Sequence, residues 1–538
     1  MKGRLTGQLT GTGALLRLAL RRDRVMMPVW ILATALLVVS MPGSLGGVYT
    51  TAAERAQVAA SMNANGSMRA LYGPVFADSL GGLTAWRAGV FAAVLAGVMS
   101  LIIVIRHTRE EEETGRQELL SSGVVGRGAP LTAALLAALT ANACIALLIA
   151  GGLAAQGVPG AVALGLAVGG SGMLFAGTAA VAAQLTESAR AAKGITAGVL
   201  GAAFALRAAG DAGEPGGTSA LTWASPLGWV ENVRAFAAER WWVLLLLAAA
   251  APAQAGAAYV LARRRDLGLG FLPSRPGPAE GRLGTAGALA LRLHRGAVLG
   301  WGAGFLVAGA VFGGMADGAA EVVGGNDRTR EIIERMGGAA GGVGGAGGAG
   351  GLTDAFLATV AGLFGMVAAL YAVSAVLRLS GEETGQRAEP LLANAVGRLR
   401  WAAGHLVMAF GGSALILLLA GLGLGLGRGR EVPAAVGATL AQLPAVWVIA
   451  ALAALLYGAA PRYAAAAWAV AGGALALGWI GPALNLPQAA LDLSPFAHLP
   501  RLPAAETLSW SPLLTLTALA VALTAAGLAA LRHRDLAA

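Results

Sequence analysis

The chain has 538 residues, of which 57% are hydrophobic and only 12% charged, about half the charge of an ordinary soluble domain. A formal charge of +10 raises nucleic acid as a partner, but the basic residues are distributed as in a membrane bundle, which argues against it. The single cysteine, Cys144, excludes an intrachain disulfide and a thiolate metal cluster.

The chain opens on a basic amphipathic stretch in which Arg17, Arg21 and Arg24 share one helix face, with Leu16 and Leu20 stacked a turn apart. Such a helix lies at a membrane interface, either as an anchor or as a lateral elbow framing a gate. The first apolar run starts near Met26 and lacks a short core with a small-residue cleavage site, so a cleaved signal peptide is not expected. Apolar runs long enough to cross about 30 Å of hydrocarbon fall near 28–47, 87–105, 130–152, 158–185, 194–210 and 241–262. A second set falls near 297–316, 353–377, 401–427, 432–458, 464–482 and 512–531. In lipid these runs must be helical, because a helix satisfies its own backbone hydrogen bonds.

The expected fold is an all-α integral membrane protein of about twelve transmembrane helices, built as two tandem parallel six-helix halves, 1–262 and 285–538. A cytoplasmic linker, 263–284, joins them; it is polar, contains Pro273, Pro276 and Pro278, and reads as an extended connector. With the N-terminus inside, the cytoplasmic segments hold 26 Lys and Arg and the external ones 12, the bias that orients a bundle, and both termini fall inside. Lys2 and Lys193 are the only lysines; with the abundant Ala and Gly, this suits a GC-rich bacterial genome and a bacterial cell membrane.

The halves are read from a repeat at an offset of about 271. Leu18-Ala19-Leu20-Arg21 recurs as Leu289-Ala290-Leu291-Arg292, Arg24 as Arg295 and Trp30 as Trp301. Arg292 and Arg295, beside Leu289, Leu291 and Leu293, therefore predict a second interfacial elbow helix. Glu112-Glu113-Thr114-Gly115 recurs as Glu382-Glu383-Thr384-Gly385 and, after one inserted residue, Val125, Gly126 and Arg127 as Val396, Gly397 and Arg398. Ser225-Pro226 recurs as Ser494-Pro495. Six spans per half give both halves one orientation, enclosing a pathway between them. Among the 81 glycines, Gly421, Gly423, Gly425 and Gly427 are read first as close-packing positions and second as hinges. The run Gly337–Gly351 reads as a flexible external loop.

The most informative segment is the loop after the second span of each half. In the first it runs Arg109, Glu110, Glu111, Glu112, Glu113, Thr114, Gly115, Arg116, Gln117, Glu118, Leu119, Leu120. In the second it runs Gly381, Glu382, Glu383, Thr384, Gly385, Gln386, Arg387, Ala388, Glu389, Pro390, Leu391, Leu392. An acidic and apolar surface of this kind suits docking of a cytosolic partner; the alternative is a solvated turn with local Glu–Arg pairing.

At these residues the chain resembles the ABC-2 type permeases, whose corresponding loop has the pattern Glu-x-x-Gly-x-x-Glu-x-Leu-Leu followed by Val and Arg. Glu112, Gly115, Glu118, Leu119 and Leu120 sit on it, with Val125 and Arg127 downstream. Glu382, Gly385, Glu389, Leu391 and Leu392 correspond, with Gln386 inserted and Pro390 disturbing the helix. The layout is similar to bacterial polyketide-antibiotic and tetronasin-resistance exporter permeases. The resemblance implies two copies of a separate ATP-binding subunit, using ATP and Mg, each gripped by one Glu-rich coupling helix. It also implies external half-helices within Asp211–Arg240 and Ala483–Ser511 that cap the exit.

The chain itself has no P-loop, since neither Lys2 nor Lys193 lies in a Gly-x-x-x-x-Gly-Lys-Ser/Thr pattern, so no enzyme activity and no bound cofactor are expected. No metal-ligand spacing occurs, and His405 is read as a lone interfacial residue. The competing readings are an ion-coupled carrier and an intramembrane lipid-linked transferase. Span interiors are nearly bare of ionisable groups, with Asn142 and Gln184 among the few polar residues and Asp317 and Asp354 at outer ends, which disfavours the carrier. The apolar interior suggests a hydrophobic or amphiphilic substrate; no substrate-binding residue is identifiable.

Overall fold

The computed structural model describes residues 8–121, 123, 125–214, 216–272, 283–324, 349–479, 487–503 and 509–535. Among them, eleven helices are long and apolar enough to cross a bilayer. No strand forms in the described residues; an isolated bridge joins Thr186 to Leu272. Exposed Leu, Val and Trp side chains on the peripheral helices give the outward apolar surface of a membrane protein.

The chain divides into two compact units, Met1–Pro276 and Gly277–Ala538. In the first, the spans are Met26–Val48, Leu80–Arg106, Ala129–Gly152, Val158–Leu185, Ala189–Gly213 and Trp241–Arg264. The second and fourth are central, with 72% and 67% of their most apolar stretches buried, against 17% for the first and last. Their buried faces are built on alanine: Ala88, Ala92 and Ala96 follow each other at one-turn spacing, as do Ala163 and Ala167. Small residues at that spacing let helix backbones approach where lipid supplies no hydrophobic drive.

The second unit contains Ala286–Gly324, Ala349–Thr384, Arg398–Arg428, Val432–Leu440 continued by Leu443–Ala459, Ala466–Trp479 and Trp510–His533. Its central spans are again the second and fourth. A Cβ placed on Gly423 would lie 2.2 Å from the Leu306 carbonyl oxygen, and one on Gly427 2.0 Å from that of Ala310. Gly421 and Gly425 face the backbone of Val436 and Val432 in the same way. These four glycines are close-packing positions.

Several expectations are corrected. Within 464–482 the described helix is Ala466–Trp479, 14 residues or about 21 Å; 480–486 lie outside the described residues. Helices also outrun their apolar stretches, as Leu80–Arg106 does by seven residues at its start, because composition marks the lipid and not where backbone bonding ends. In the first unit the basic stretch is a separate helix, Thr12–Arg22, with Arg17 and Arg21 exposed and Arg24 in the turn before Met26. In the second, Arg292 and Arg295 lie in one unbroken helix, Ala286–Gly324. Pro28 is compatible with a helix only near its start, which fits the break before Met26; Leu299, 271 residues on, imposes none.

Two helices between the first and second spans, Ala52–Ala64 and Gly66–Tyr72, were not expected, although the first carries a legible capping box of Thr51 and Glu54. The start of the linker is tied to its own unit, with Leu272 N–H donating to the Leu185 carbonyl at 2.7 Å. Pro273, Pro276 and Pro278, most of Gly337–Gly351 and the Asp317 side chain lie outside the described residues.

Candidate functional site

The acidic loop of the first unit is two short helices, Arg109–Glu113 and Arg116–Ser121, hinged at Gly115, whose φ of 72° favours glycine. The four glutamates of the first helix each grip the chain itself. Glu110 pairs with Lys193 and Glu111 with Arg22. Glu113 accepts the backbone N–H of Ala189 at 2.8 Å, closing the first turn of the fifth span.

Glu112 lies deepest. It takes both Nη atoms of Arg265 at 2.6 and 2.7 Å and Arg109 Nη1 at 2.7 Å. Arg109 is buried and donates to the carbonyls of Ala183 and Leu269, and Arg265 Nε donates to Gln184 Oε1 at 2.7 Å. Arg127 in turn donates to the Arg265 carbonyl at 2.5 Å. Removing one partner from such a buried forked pair leaves an uncompensated charge, a loss of about 3–5 kcal/mol. Local pairing therefore engages all four glutamates, with Glu112 the most enclosed, while Glu110 keeps 33% of its side chain exposed and Glu113 is exposed.

The second short helix faces outward. Glu118 and Arg116 are exposed and Leu119 is 77% exposed; the Leu120 side chain lies outside the described residues.

In the second unit, Glu382 pairs with Arg387 at 2.9 Å and approaches Arg378 at 3.5 Å. Glu383 takes both Nη atoms of Arg534 at 2.7 and 2.8 Å and the Tyr457 hydroxyl at 2.6 Å. Arg398 donates to the Arg534 carbonyl at 2.7 Å. The pairing with Glu383 outweighs the burial cost and holds the Arg534 guanidinium above its ordinary value. Glu389 is exposed, whereas Leu391 and Leu392 pack against the cluster of Leu379, Trp401 and Tyr457.

The same bonds thus recur in each unit. Glu383 lies 271 residues after Glu112 and Arg398 271 after Arg127, while Arg534 lies 269 after Arg265. The left-handed turn also recurs at 271, on Gln386 with φ 55°, and not on Gly385. The match of Glu112 to Glu382 and of Gly115 to Gly385 is therefore displaced by one, and no inserted residue is needed.

Other buried polar groups escaped the sequence reading. Arg207 is fully buried and lies 3.3 Å from both Asp211 and Glu231, while donating to the carbonyls of Ala70 and Leu71. Its i, i+4 spacing with Asp211 was the available signal. Burial pushes the Glu231 carboxyl well above its ordinary value, opposed by Arg207 and reinforced by Asp211. Glu231 belongs to Pro226–Asn232, which with Ala220–Ala224 forms short helices within the Asp211–Arg240 segment. Ser225 anchors that pair by donating to the Ala203 carbonyl at 2.6 Å, and Ser494 reaches the Ala474 carbonyl at 3.4 Å. His405 is not alone: its Nδ1 lies 3.0 Å from His294 Nε2, both rings buried. Among the described residues, no three His, Cys, Asp or Glu converge as a metal site.

A family profile described as "Multidrug efflux system permease Rv1217c, C-terminal domain" matches residues 283–532. Over its whole length the chain is similar to the multidrug efflux system permease protein Rv1217c of Mycobacterium tuberculosis, with 45% identity across 98% of this chain and 95% of that protein.

Proposed function

This chain belongs to the family of the multidrug efflux system permease Rv1217c, and from that premise we propose that it is the membrane-spanning permease of an ABC-type exporter. It moves hydrophobic or amphiphilic drug-like compounds outward, using ATP hydrolysed by a separate subunit. The recurrence of one loop architecture in the two units supports this reading best. Each acidic loop presents an exposed carboxylate, Glu118 or Glu389, on a short helix whose neighbouring glutamate is bonded into its own unit. A pair of such fixtures suits two copies of one cytosolic ATP-binding subunit, with charge complementarity setting register. The two units are then tandem halves of one ancestral permease, with the acidic loops and both termini on the cytoplasmic side of a bacterial cell membrane.

In this reading the docking surface is narrower than the motif. It comprises Glu118 with Leu119 on one side and Glu389 on the other, while Leu391 and Leu392 brace their loop from within. ATP and Mg belong to the partner.

An ion-coupled carrier is the second reading, favoured by the buried Arg207, Asp211 and Glu231 group. That group bonds the short helices around Ala70 and Glu231 to the end of the fifth span, which suits a structural tie better than a proton path.

The test is co-purification. The wild-type chain, expressed with a candidate ABC ATP-binding subunit from the same genome, is expected to yield one permease with two ATPases. The double substitution Glu118→Arg, Glu389→Arg is expected to lose the ATPases while the permease still reaches the membrane. Normal complex formation and transport by the double variant would remove the docking assignment.

A further inference from the structure

The carboxylates bonded into their own unit form a geometry that occurs in both units. In each unit a buried glutamate at the end of the second span forks onto the arginine that follows the last span, Glu112 with Arg265 and Glu383 with Arg534. The carbonyl of that arginine is held by another arginine at the start of the third span, Arg127 or Arg398. The end of the fourth span joins through different chemistry, Gln184 to Arg265 in one unit and Tyr457 to Glu383 in the other. Identity of the bonds with divergence of one partner indicates that the joint is what recurs, more than the particular side chains. Five residues separate Glu112 from Glu118, and five separate Glu383 from Glu389.

We propose that Glu112–Arg265 and Glu383–Arg534 are positioning pairs that lock the ends of the second, third, fourth and last spans of each unit into one body with the outward-facing short helix. A displacement of that helix then moves four span ends together. This rests on the ABC reading above: the displacement comes from the ATP-binding subunit, and the pairs carry it without touching that subunit. Forked arginine–carboxylate bonds suit the task because they fix orientation as well as distance. A neutral Glu→Gln change keeps an acceptor but loses that fork.

The test uses the full permease–ATPase complex in proteoliposomes and reads drug transported per ATP hydrolysed. Co-purification of the wild-type chain with its ATPase is checked first; its failure would count against the ABC reading, with the pairs then judged by the cross-link below. Glu112→Gln and Glu383→Gln, made singly because each lost pair also costs stability, are each expected to retain the ATPases and their hydrolysis while transport per ATP falls about tenfold, the size of an ordinary coupling term. An unchanged ratio would overturn the proposal. As a second measurement, Glu383→Cys and Arg534→Cys on a Cys144→Ala background are joined by a short bismaleimide. A joint that moves as one body keeps its transport when cross-linked and regains what the two substitutions cost. Transport that stops on cross-linking would show that the pair must open, and would overturn the proposal.

Discussion

At the scale of single residues, the most consequential groups are charges held out of water by their own chain. Arg207 is fully buried, and its guanidinium is what permits Asp211 and Glu231 to lie within 3.3 Å of it. Arg207→Met is expected to lower stability by about 3–5 kcal/mol, since it leaves two buried acids without their counter-charge; thermal unfolding in nanodiscs measures it. Glu231 carries the opposite lesson. Burial holds its carboxyl above the ordinary 4.5, so between the unfolded and the native value the native state binds more protons than the unfolded chain. The stability this contributes is full below the unfolded value and is lost as pH rises through the native one. Glu231→Gln is expected to flatten that fall, with little loss of stability at acidic pH. A variant whose melting temperature followed the wild-type pH profile would show that another group governs it.

At the scale of elements, the helices obey packing rules that the sequence only partly reveals. The glycine spacing of Gly421, Gly423, Gly425 and Gly427 was legible, but its partners were not, because the Leu306 and Ala310 carbonyls lie more than a hundred residues away. Gly423→Val is expected to force the helices Ala286–Gly324 and Arg398–Arg428 apart and cost about 1–3 kcal/mol. Gly411→Ala, where a Cβ meets nothing within 4 Å, is the control expected to leave the unfolding midpoint unchanged or slightly raised.

The apolar runs located the spans because lipid imposes length and hydropathy, yet helix ends depend on backbone bonding that composition does not record. The acidic loops were legible as special, but identity alone paired the wrong glutamates. Matching Glu112 to Glu382 gave the longer run of identical letters, whereas the bonds pair Glu112 with Glu383 and place the left-handed turn on Gln386. Buried Asp23 is a further case: its partners His107 and Arg106 are more than eighty residues away, so no local pattern announced the pair.

At the scale of the whole molecule, the 45% identity to a multidrug efflux permease across 98% of the chain and the eleven apolar helices agree on a membrane exporter subunit. Its power source is what separates an ATP-driven exporter from an ion-coupled carrier. The inward-facing glutamates and outward-facing Glu118 and Glu389 divide each acidic loop into an anchored part and a presented part, an arrangement suited to a driver outside the membrane. A carrier driven by its own ion gradient has no need of a presented loop in each unit.

The most direct measurement is uptake of a lipophilic fluorescent drug into inverted proteoliposomes holding the purified permease with its ATP-binding subunit. Accumulation is expected to require ATP and Mg, to be blocked by vanadate, and to persist when the proton gradient is collapsed. Accumulation by the permease alone, driven by an imposed proton gradient and indifferent to ATP and vanadate, would contradict ATP-driven export.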